Sequence, residues 1–498
     1  MDILQQCQQW HEEEQHQKIV DALEAVPEAE RTAQMDMDLA RAYNNLADVG
    51  ELAGMKLLRR ALELMRPHEG ELGDTYSWNF RMGYALYYLD QEGRALLFLE
   101  KALELHPGDD PRFNTRQEIE ELIDSCKRVI VLPRFSQCFR ERVEGCWQAF
   151  ASVEAEIRQE LIEDEDHIRG SEIVGRVHDI LALAFDEIAI EMGFNGGKFE
   201  LTLTPEGDRV KLFELVYFQN HAPSEVLAHW NVVVGRQACG RIGLRTEDGW
   251  ELNADDVQIW VEQLGEHSFT ISTYCEKLLP MLGEEEGRAW WLISTLTDQT
   301  LGEISHMRYI DGFDVLREPK SEPSILLSEL PSKLAETGIE LSANPQALLD
   351  SYIGYEMQPD EGPEADWRLD VMAGSTCCPQ LINGYLNSDD VYVDNLHSDG
   401  AVAGFLCYPL ESLRDNESTQ KIFDFRDSLE AALTSGDGAE ILTLTGGATG
   451  LYCGYVDFIA WDIKAVLERA HEFFEHSEIP WANFHTFRRA TAPVNLKD

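Results

Sequence analysis

Several groups of residues in this chain have types and spacings that bear on chemistry. The run Gly193-Phe194-Asn195-Gly196-Gly197-Lys198 is glycine-rich and ends in lysine, as a phosphate-cradling loop does. Such a loop needs glycine at the place of Met192 and Ser or Thr at the place of Phe199. It also leads into a helix, whereas the residues after Lys198 alternate like a strand, so the run reads as a glycine-rich helix stop. Gly446-Gly447-Ala448-Thr449-Gly450 reads as a strand-to-strand turn. Cys377-Cys378-Pro379 follows Gly374-Ser375-Thr376 at an expected strand end. A thiol nucleophile needs a base in reach and a lowered pKa, and His397 and His485 stand in the same region. The alternative is two small side chains packed at a strand end. Asp457 and Asp462 flank Phe458-Ile459-Ala460-Trp461, and Asp311 and Asp314 sit close in sequence. Paired carboxylates can titrate apart and do hydrolytic work, although Asp462 also stands where it would cap the following helix. For metals, Glu303 with His306, His397 with Asp399, and His471 with His476 are the nearest sets. None supplies three ligands at a recognised spacing, and His-Glu-x-x-His is absent. No catalytic, cofactor-binding or metal-binding residue is assigned on this basis.

The elements that would position these groups begin with a helical region. From Tyr76 to Pro107, Gly83, Ala95, Leu99, Ala102 and Pro107 sit at intervals of 12, 4, 3 and 5. Small residues at such places let two helices close, with Gly83 and Ala95 expected to face each other, and the proline ends the second helix. The same logic runs through Leu39 to Pro67, with Ala42, Gly54, Leu58 and Ala61, and more faintly through Trp10 to Pro27; Ala61 and Ala102 are 41 residues apart. This spacing resembles the tetratricopeptide repeat, with Met82 before the glycine and Asn79, beside Trp78, at the usual tryptophan place. Generic helical hairpins are the alternative.

Residues 1–130 therefore read as a tetratricopeptide-like helical array, and 131–192 as bridging or capping helices. Within the latter, a long stretch from Cys146 to the acidic run Glu163-Asp164-Glu165-Asp166 precedes a helix expected from Glu172 to Glu191, capped by Ser171. At Lys198 the period becomes two. Lys198–Leu203 and Leu212–Phe218 read as a hairpin around Glu206-Gly207-Asp208, followed by strands at 230–235, 256–262 and 268–274, a helix at 284–301, and another at 326–336 after the linker-like Glu318–Pro323. A second unit carries expected strands at 367–371, 401–408, 441–445, 452–459 and 483–487, with helices at 421–433 and 461–476. The expected class is thus α followed by α+β, with mixed or antiparallel α+β units at 193–335 and 336–498. The pattern Leu301-Gly302-Glu303 then Tyr309–Asp314, and Gly446–Gly450 then Tyr455–Phe458, reads as an internal duplication or as coincidence of common residue types.

Bulk properties narrow the function classes. Ninety-one acidic and 41 basic residues give a net charge of −50. Such a surface repels phosphate backbones and anionic lipid, so neither nucleic acid nor membrane is an expected partner. A basic protein is the expected partner, or else the acid serves solubility. Glu163–Asp166 and Glu284-Glu285-Glu286 are its densest runs. Ten cysteines show no framework spacing, the opening Met1-Asp2-Ile3-Leu4-Gln5-Gln6-Cys7 has no signal-peptide character, and a cytoplasmic location is expected. Aromatic pairs at Tyr87-Tyr88, Trp290-Trp291 and Phe473-Phe474, and Trp481 with Phe484, His485 and Phe487, serve core or interface.

The runs Gly83–Leu89, Asn231–Arg236 and Gly454–Phe458 resemble those of uncharacterised bacterial tetratricopeptide-repeat proteins. That resemblance implies protein binding. The acidic 336–498 region also resembles, loosely, the α+β immunity proteins that neutralise secreted toxins. The expected function is a non-enzymatic adaptor or scaffold, in its narrower form an immunity or antitoxin-like protein. The alternative is an enzyme with a hydrolase-like site in the C-terminal region and substrate recruitment by the array.

Overall fold

The computed structural model describes residues 3–49, 52–108, 113–164, 169–239, 243–245, 250–283, 285–362, 366–414 and 418–497. Met1, Asp2, Glu165, Asp166 and Glu284, named in the runs above, lie outside the described residues.

The elements described up to Val131 are helices: α1 (Ile3–Glu12), α2 (His16–Glu24), α3 (Ala33–Leu46), α4 (Leu52–Met65), α5 (Glu69–Leu72), α6 (Tyr76–Tyr87), α7 (Glu92–Glu104) and α8 (Arg116–Val131). Thr32 and Thr75 accept from the Met35 and Trp78 amides and so start α3 and α6. Thr115 and Glu118 form a reciprocal capping box on α8. Helices pair as α1–α2, α3–α4 and α6–α7 around one shared core. The closest approach differs from expectation. A Cβ on Gly83 would lie 2.7 Å from Leu99 Cγ, so Gly83 packs on Leu99, one turn beyond Ala95. Trp78 is buried with Nε1 donating to the Met65 carbonyl at 3.0 Å. Asn79 holds the entry to α6, donating to the Gly73 and Thr75 carbonyls.

Next come α9 (Phe139–Glu163), α10 (Gly170–Leu181), β1 (Ala189–Asn195), β2 (Lys198–Thr204), α11 (Arg209–Asn220), α12 (Ser224–Leu227) and β3 (Trp230–Val234). Three expectations fail here. The helix placed at 172–191 stops at Leu181, lacks a Ser171 cap and gives way to β1. The glycine run is not a helix stop but the turn of the β1–β2 hairpin, where Asn195 pairs with Lys198. Leu212–Phe218 is helix, not strand. All residues from Val210 to Phe218 except Lys211 are buried, so no polar face betrays the helical period.

The chain continues through β4 (Gly243–Arg245), β5 (Glu251–Asn253), β6 (Gln258–Gly265), β7 (Ser268–Tyr274), α13 (Glu286–Leu301), α14 (Glu303–Tyr309), β8 (Ile310–Val315), β9 (Ile325–Leu326), α15 (Leu330–Glu336) and α16 (Pro345–Leu349). Strands form a β1-β2-β3 sheet, a β4-β5 pair and a mixed β8-β7-β6-β9 sheet. Residues 326–336 are only partly helix, because Leu326 belongs to β9 on the edge of β6.

The last part holds β10 (Ile353–Glu356), β11 (Val371–Thr376), α17 (Pro379–Asn387), α18 (Val391–Asp399), β12 (Val402–Pro409), α19 (Ser418–Thr434), α20 (Gly438–Ile441), β13 (Leu442–Gly450), β14 (Cys453–Ala460), α21 (Ile463–Glu475), β15 (Ala482–Thr486) and β16 (Val494–Lys497). They build a seven-stranded sheet ordered β10-β11-β13-β14-β12-β15-β16. The strand expected at 367–371 begins only at Val371, after a turn in which Arg368 has φ +69°. Gly446–Gly450 is not a turn but part of β13, paired with β11 and β14. Every residue of β12 and β14 is buried. Leu406, Tyr408, Val456 and Phe458 join α19 and α21 in one core, while Phe405, Tyr455, Asp457 and His485 occupy the opposite face. The two segments that suggested duplication take different structures: a helix break at Gly302 before β8, and the β13–β14 pair.

Two compact units result. One comprises Met1–Arg142, Leu183–Asp186 and Gly354–Asp498, the other Val143–Ala182 and Glu187–Ile353. Within the first, Arg142 pairs with Asp90 at 2.5 Å and donates to the Ser398 carbonyl at 2.7 Å, fastening the array to the C-terminal sheet.

Candidate functional site

The residues singled out in the C-terminal region do not assemble. Cys377 and Cys378 are buried at the junction of β11 and α17. His397 is buried with neither ring nitrogen hydrogen-bonded, its ring edge-on to Phe135. His485 stacks on Phe405 and directs Nδ1 and Nε2 to the Thr486 and Thr491 carbonyls at 2.6 and 2.8 Å. His485 is thus committed to carbonyls, and His397 makes no hydrogen bond to either thiol. Asp457 is consumed by a buried ion pair with Arg368. Asp462 accepts from the Ala465 amide and caps α21, as its position suggests. Asp311 and Asp314 lie on β8, where Asp311 bonds the Ser268 hydroxyl.

The metal candidates diverge in the same way. Glu303 bonds the Thr204 hydroxyl and the Arg236 amide, while His306 turns to Asp298 at 2.6 Å. Asp399 accepts from the Asp186 amide. His471 and His476 each bond a backbone carbonyl through Nδ1. No group of three ligating side chains occurs among the described residues.

A different site lies in the helical array. A cavity of about 200 Å³ is lined from the first helices of all three hairpins: His11 of α1, Arg41 and Asn44 of α3, and Tyr76, Phe80, Arg81 and Tyr84 of α6. Phe113 and Asn114, ahead of α8, close it. The aromatic wall is ordered by ring contacts: Tyr76 stacks on Phe80 at 5.9 Å and meets Phe113 edge-on at 5.2 Å.

The polar inventory of this cavity is incomplete. Arg41 has no hydrogen bond or ion pair among the described residues. Arg81 donates to the Met37 carbonyl at 2.8 Å and has no carboxylate within ion-pair distance among the described residues. Asn44 donates its amide to the Arg81 carbonyl at 3.2 Å, which leaves Oδ1 buried and unpartnered. His11 Nδ1 is likewise unpartnered among the described residues. Buried polar groups are nearly always satisfied, so such a concentration marks a place completed by something else. The electrostatics agree. Burial, with Arg41 adding, lowers the Arg81 guanidinium to about 10. Burial and the nearby Arg41, His16 and Arg81 press His11 down to about 4. Asp38 is the neighbouring carboxylate; burial raises its pKa against the pull of Arg81 and Arg41. Among the described residues Asp38 is the carboxylate that acts on both guanidiniums, and two against one leave a local positive charge inside a chain of net −50.

No protein-family model matches this chain, and no curated relative or solved structure matches it. The site must therefore be read from its own chemistry. It offers two cationic donors, an amide oxygen, a hydroxyl and an aromatic wall, in a space the size of one or two side chains. That is a seat for an anionic group carried on a larger body.

The site residues were not singled out from sequence. A signal exists: Arg41 and Arg81 are 40 residues apart, one short of the Ala61–Ala102 offset, with Arg41 one residue before Ala42 and Arg81 two residues before Gly83. Both arginines hence fall on the first helix of successive hairpins. No helix of the described residues is long and apolar enough to cross a membrane.

Proposed function

We propose that this chain is a protein-interaction protein, an adaptor or scaffold, whose array of tetratricopeptide-like hairpins grips a segment of another protein by an acidic side chain or terminus. The observation that carries this reading is the pair of guanidiniums, Arg41 and Arg81, that line a cavity without an ion-pair partner among the described residues, beside the unpartnered Asn44 Oδ1. Charge-assisted bonds from such donors to a carboxylate are the stronger class, and the Tyr76–Phe80 wall would take the apolar part of the same segment. A narrower form is an immunity or antitoxin-like role toward a basic toxin. It draws on the net charge of −50 and needs a face other than this cationic pocket. A cytoplasmic setting fits ten cysteines without a disulfide.

Affinity capture at low salt from the source cells tests this reading. Wild-type chain and an Arg41→Glu variant of unchanged circular dichroism and melting temperature serve as baits. The expected result is a protein retained by the wild type and lost from the variant. Identical captures by both baits would remove the pocket from the function.

A further inference from the structure

The first unit carries a second depression of opposite character. It is a groove of about 870 Å³ between α19 and α21 of the C-terminal sheet region. Its apolar lining includes Leu413, Phe425, Phe473 and Ile479, with the Phe425 and Phe473 rings edge-on at 5.5 Å. The charged groups around it are Asp437, Arg469, Glu472, His476 and Glu478. The one arginine is spent. Arg469 donates to the Leu433 and Ser435 carbonyls at 3.0 and 2.8 Å and pairs with Asp437, so it closes the end of α19. Lys497 is spent in the same manner on the Phe474 and Ser477 carbonyls at the end of α21. His476 directs Nδ1 to the Glu472 carbonyl. Glu472 and Glu478 are exposed, and neither has an ion pair among the described residues.

We propose that this groove docks a basic, amphipathic segment of a partner protein. Its apolar side chains would lie on Phe425 and Phe473, and its lysine or arginine side chains would reach Glu472 and Glu478. The chemistry selects this occupant over others. A second copy of the chain brings −50 to an acidic rim. Nucleic acid and anionic lipid are repelled for the same reason. A neutral apolar ligand would cover the rings and leave the two glutamates unmatched. The proposal rests on the interaction reading of the chain but uses none of the array residues.

The test uses the full chain and a fluorescein-labelled amphipathic helical peptide of leucine and lysine, read by anisotropy at about 0.15 M salt, where bulk attraction is screened. Its glutamate-for-lysine counterpart and a leucine-free polylysine are the companion probes. Two charge-matched variants are compared: Glu472→Lys with Glu478→Lys in the groove, and Glu262→Lys with Glu266→Lys on β6 and its turn. The leucine–lysine peptide should bind, lose at least ~10-fold with the groove variant and keep its affinity with the β6 variant. Arg41→Gln should leave it unchanged, which separates this proposal from the array pocket. Equal losses in both charge variants would reduce the effect to diffuse attraction and overturn the docking site. So would polylysine binding as tightly as the amphipathic peptide, or tight binding of the glutamate counterpart.

Discussion

Two regions of the first unit bury arginine in opposite ways. Arg368, beside β11, is almost wholly enclosed. It pairs with Asp457 through both terminal nitrogens, donates to the Tyr355 hydroxyl at 2.9 Å, and lies within 5.4 Å of the Phe405, Tyr455 and Phe487 ring centroids. Asp370 completes the surroundings by accepting from the Tyr452 and Cys453 amides and the Tyr455 hydroxyl. Burial works against the Arg368 charge, yet Asp457 and its neighbours more than offset it, and its pKa is raised. Arg81 has no such carboxylate, and its pKa falls. A satisfied buried arginine is part of the fold; an unsatisfied pair lining a cavity is an offer to a ligand.

The contrast is broken most severely at Arg368. Arg368→Met strands Asp457 in the core and should cost ~3–5 kcal/mol, seen as a large drop in the C-terminal unfolding transition. An unchanged transition would mean that the pair is solvated. Next in size is Gly83→Ala, whose new methyl would press on Leu99; a loss of ~1–3 kcal/mol is expected by denaturant titration. A neutral result would show that Leu99 yields freely.

The second unit supplies an effect of intermediate size. Burial, followed by Asp298, raises Glu303 from its ordinary 4.5 to about 7, against the bonds from the Arg236 amide and Thr204. The folded unit thus holds this proton more tightly than the unfolded chain. Its contribution to stability is complete below pH ~4.5 and is lost as pH rises to about 7. Glu303→Gln should remove this loss, on the order of 3 kcal/mol, so that wild type and variant diverge across that window. Parallel pH profiles would rule the shift out. The smallest effect is at Arg41, which makes no bond the fold needs: Arg41→Gln should change stability by less than ~0.5 kcal/mol. A loss like that at Arg368 would make Arg41 a fold residue and end the contrast.

Much of this architecture is legible from local pattern. The 12-residue spacing of small residues and the break at Pro107 reveal the hairpins, alternation reveals β2, β3 and β7, and β12 and β14 fall on the strands expected at 401–408 and 452–459. Among the misread elements, α11 has almost no exposed face to show its period, and β13 carries glycines that read as a turn. The site is less legible because it depends on what is missing. Sequence shows Arg41 and Arg81 at nearly the repeat offset but not the absence of a carboxylate beside them. The reverse holds for Cys377, Cys378 and His485, whose types suggest chemistry while their hydrogen bonds and burial are those of a core. The excess of acid is also uneven, with an acidic rim at α21 and a cationic pocket in the array, and a net charge averages over both.

The array pocket is tested most directly from inside it. His11 lines the cavity and is held at about 4 by burial and by Arg41, His16 and Arg81. A carboxylate seated between the guanidiniums would offset that repulsion. With ¹³C-labelled histidine in the full chain, the His11 resonance can be titrated with and without a short polyglutamate peptide. The expected result is an upward shift of the His11 pKa toward its ordinary 6.5 on saturation, with a much smaller response in Arg41→Gln. A His11 pKa that stays near 4 with the peptide present, or that moves equally in the Arg41→Gln chain, would contradict an anion seat in the helical array.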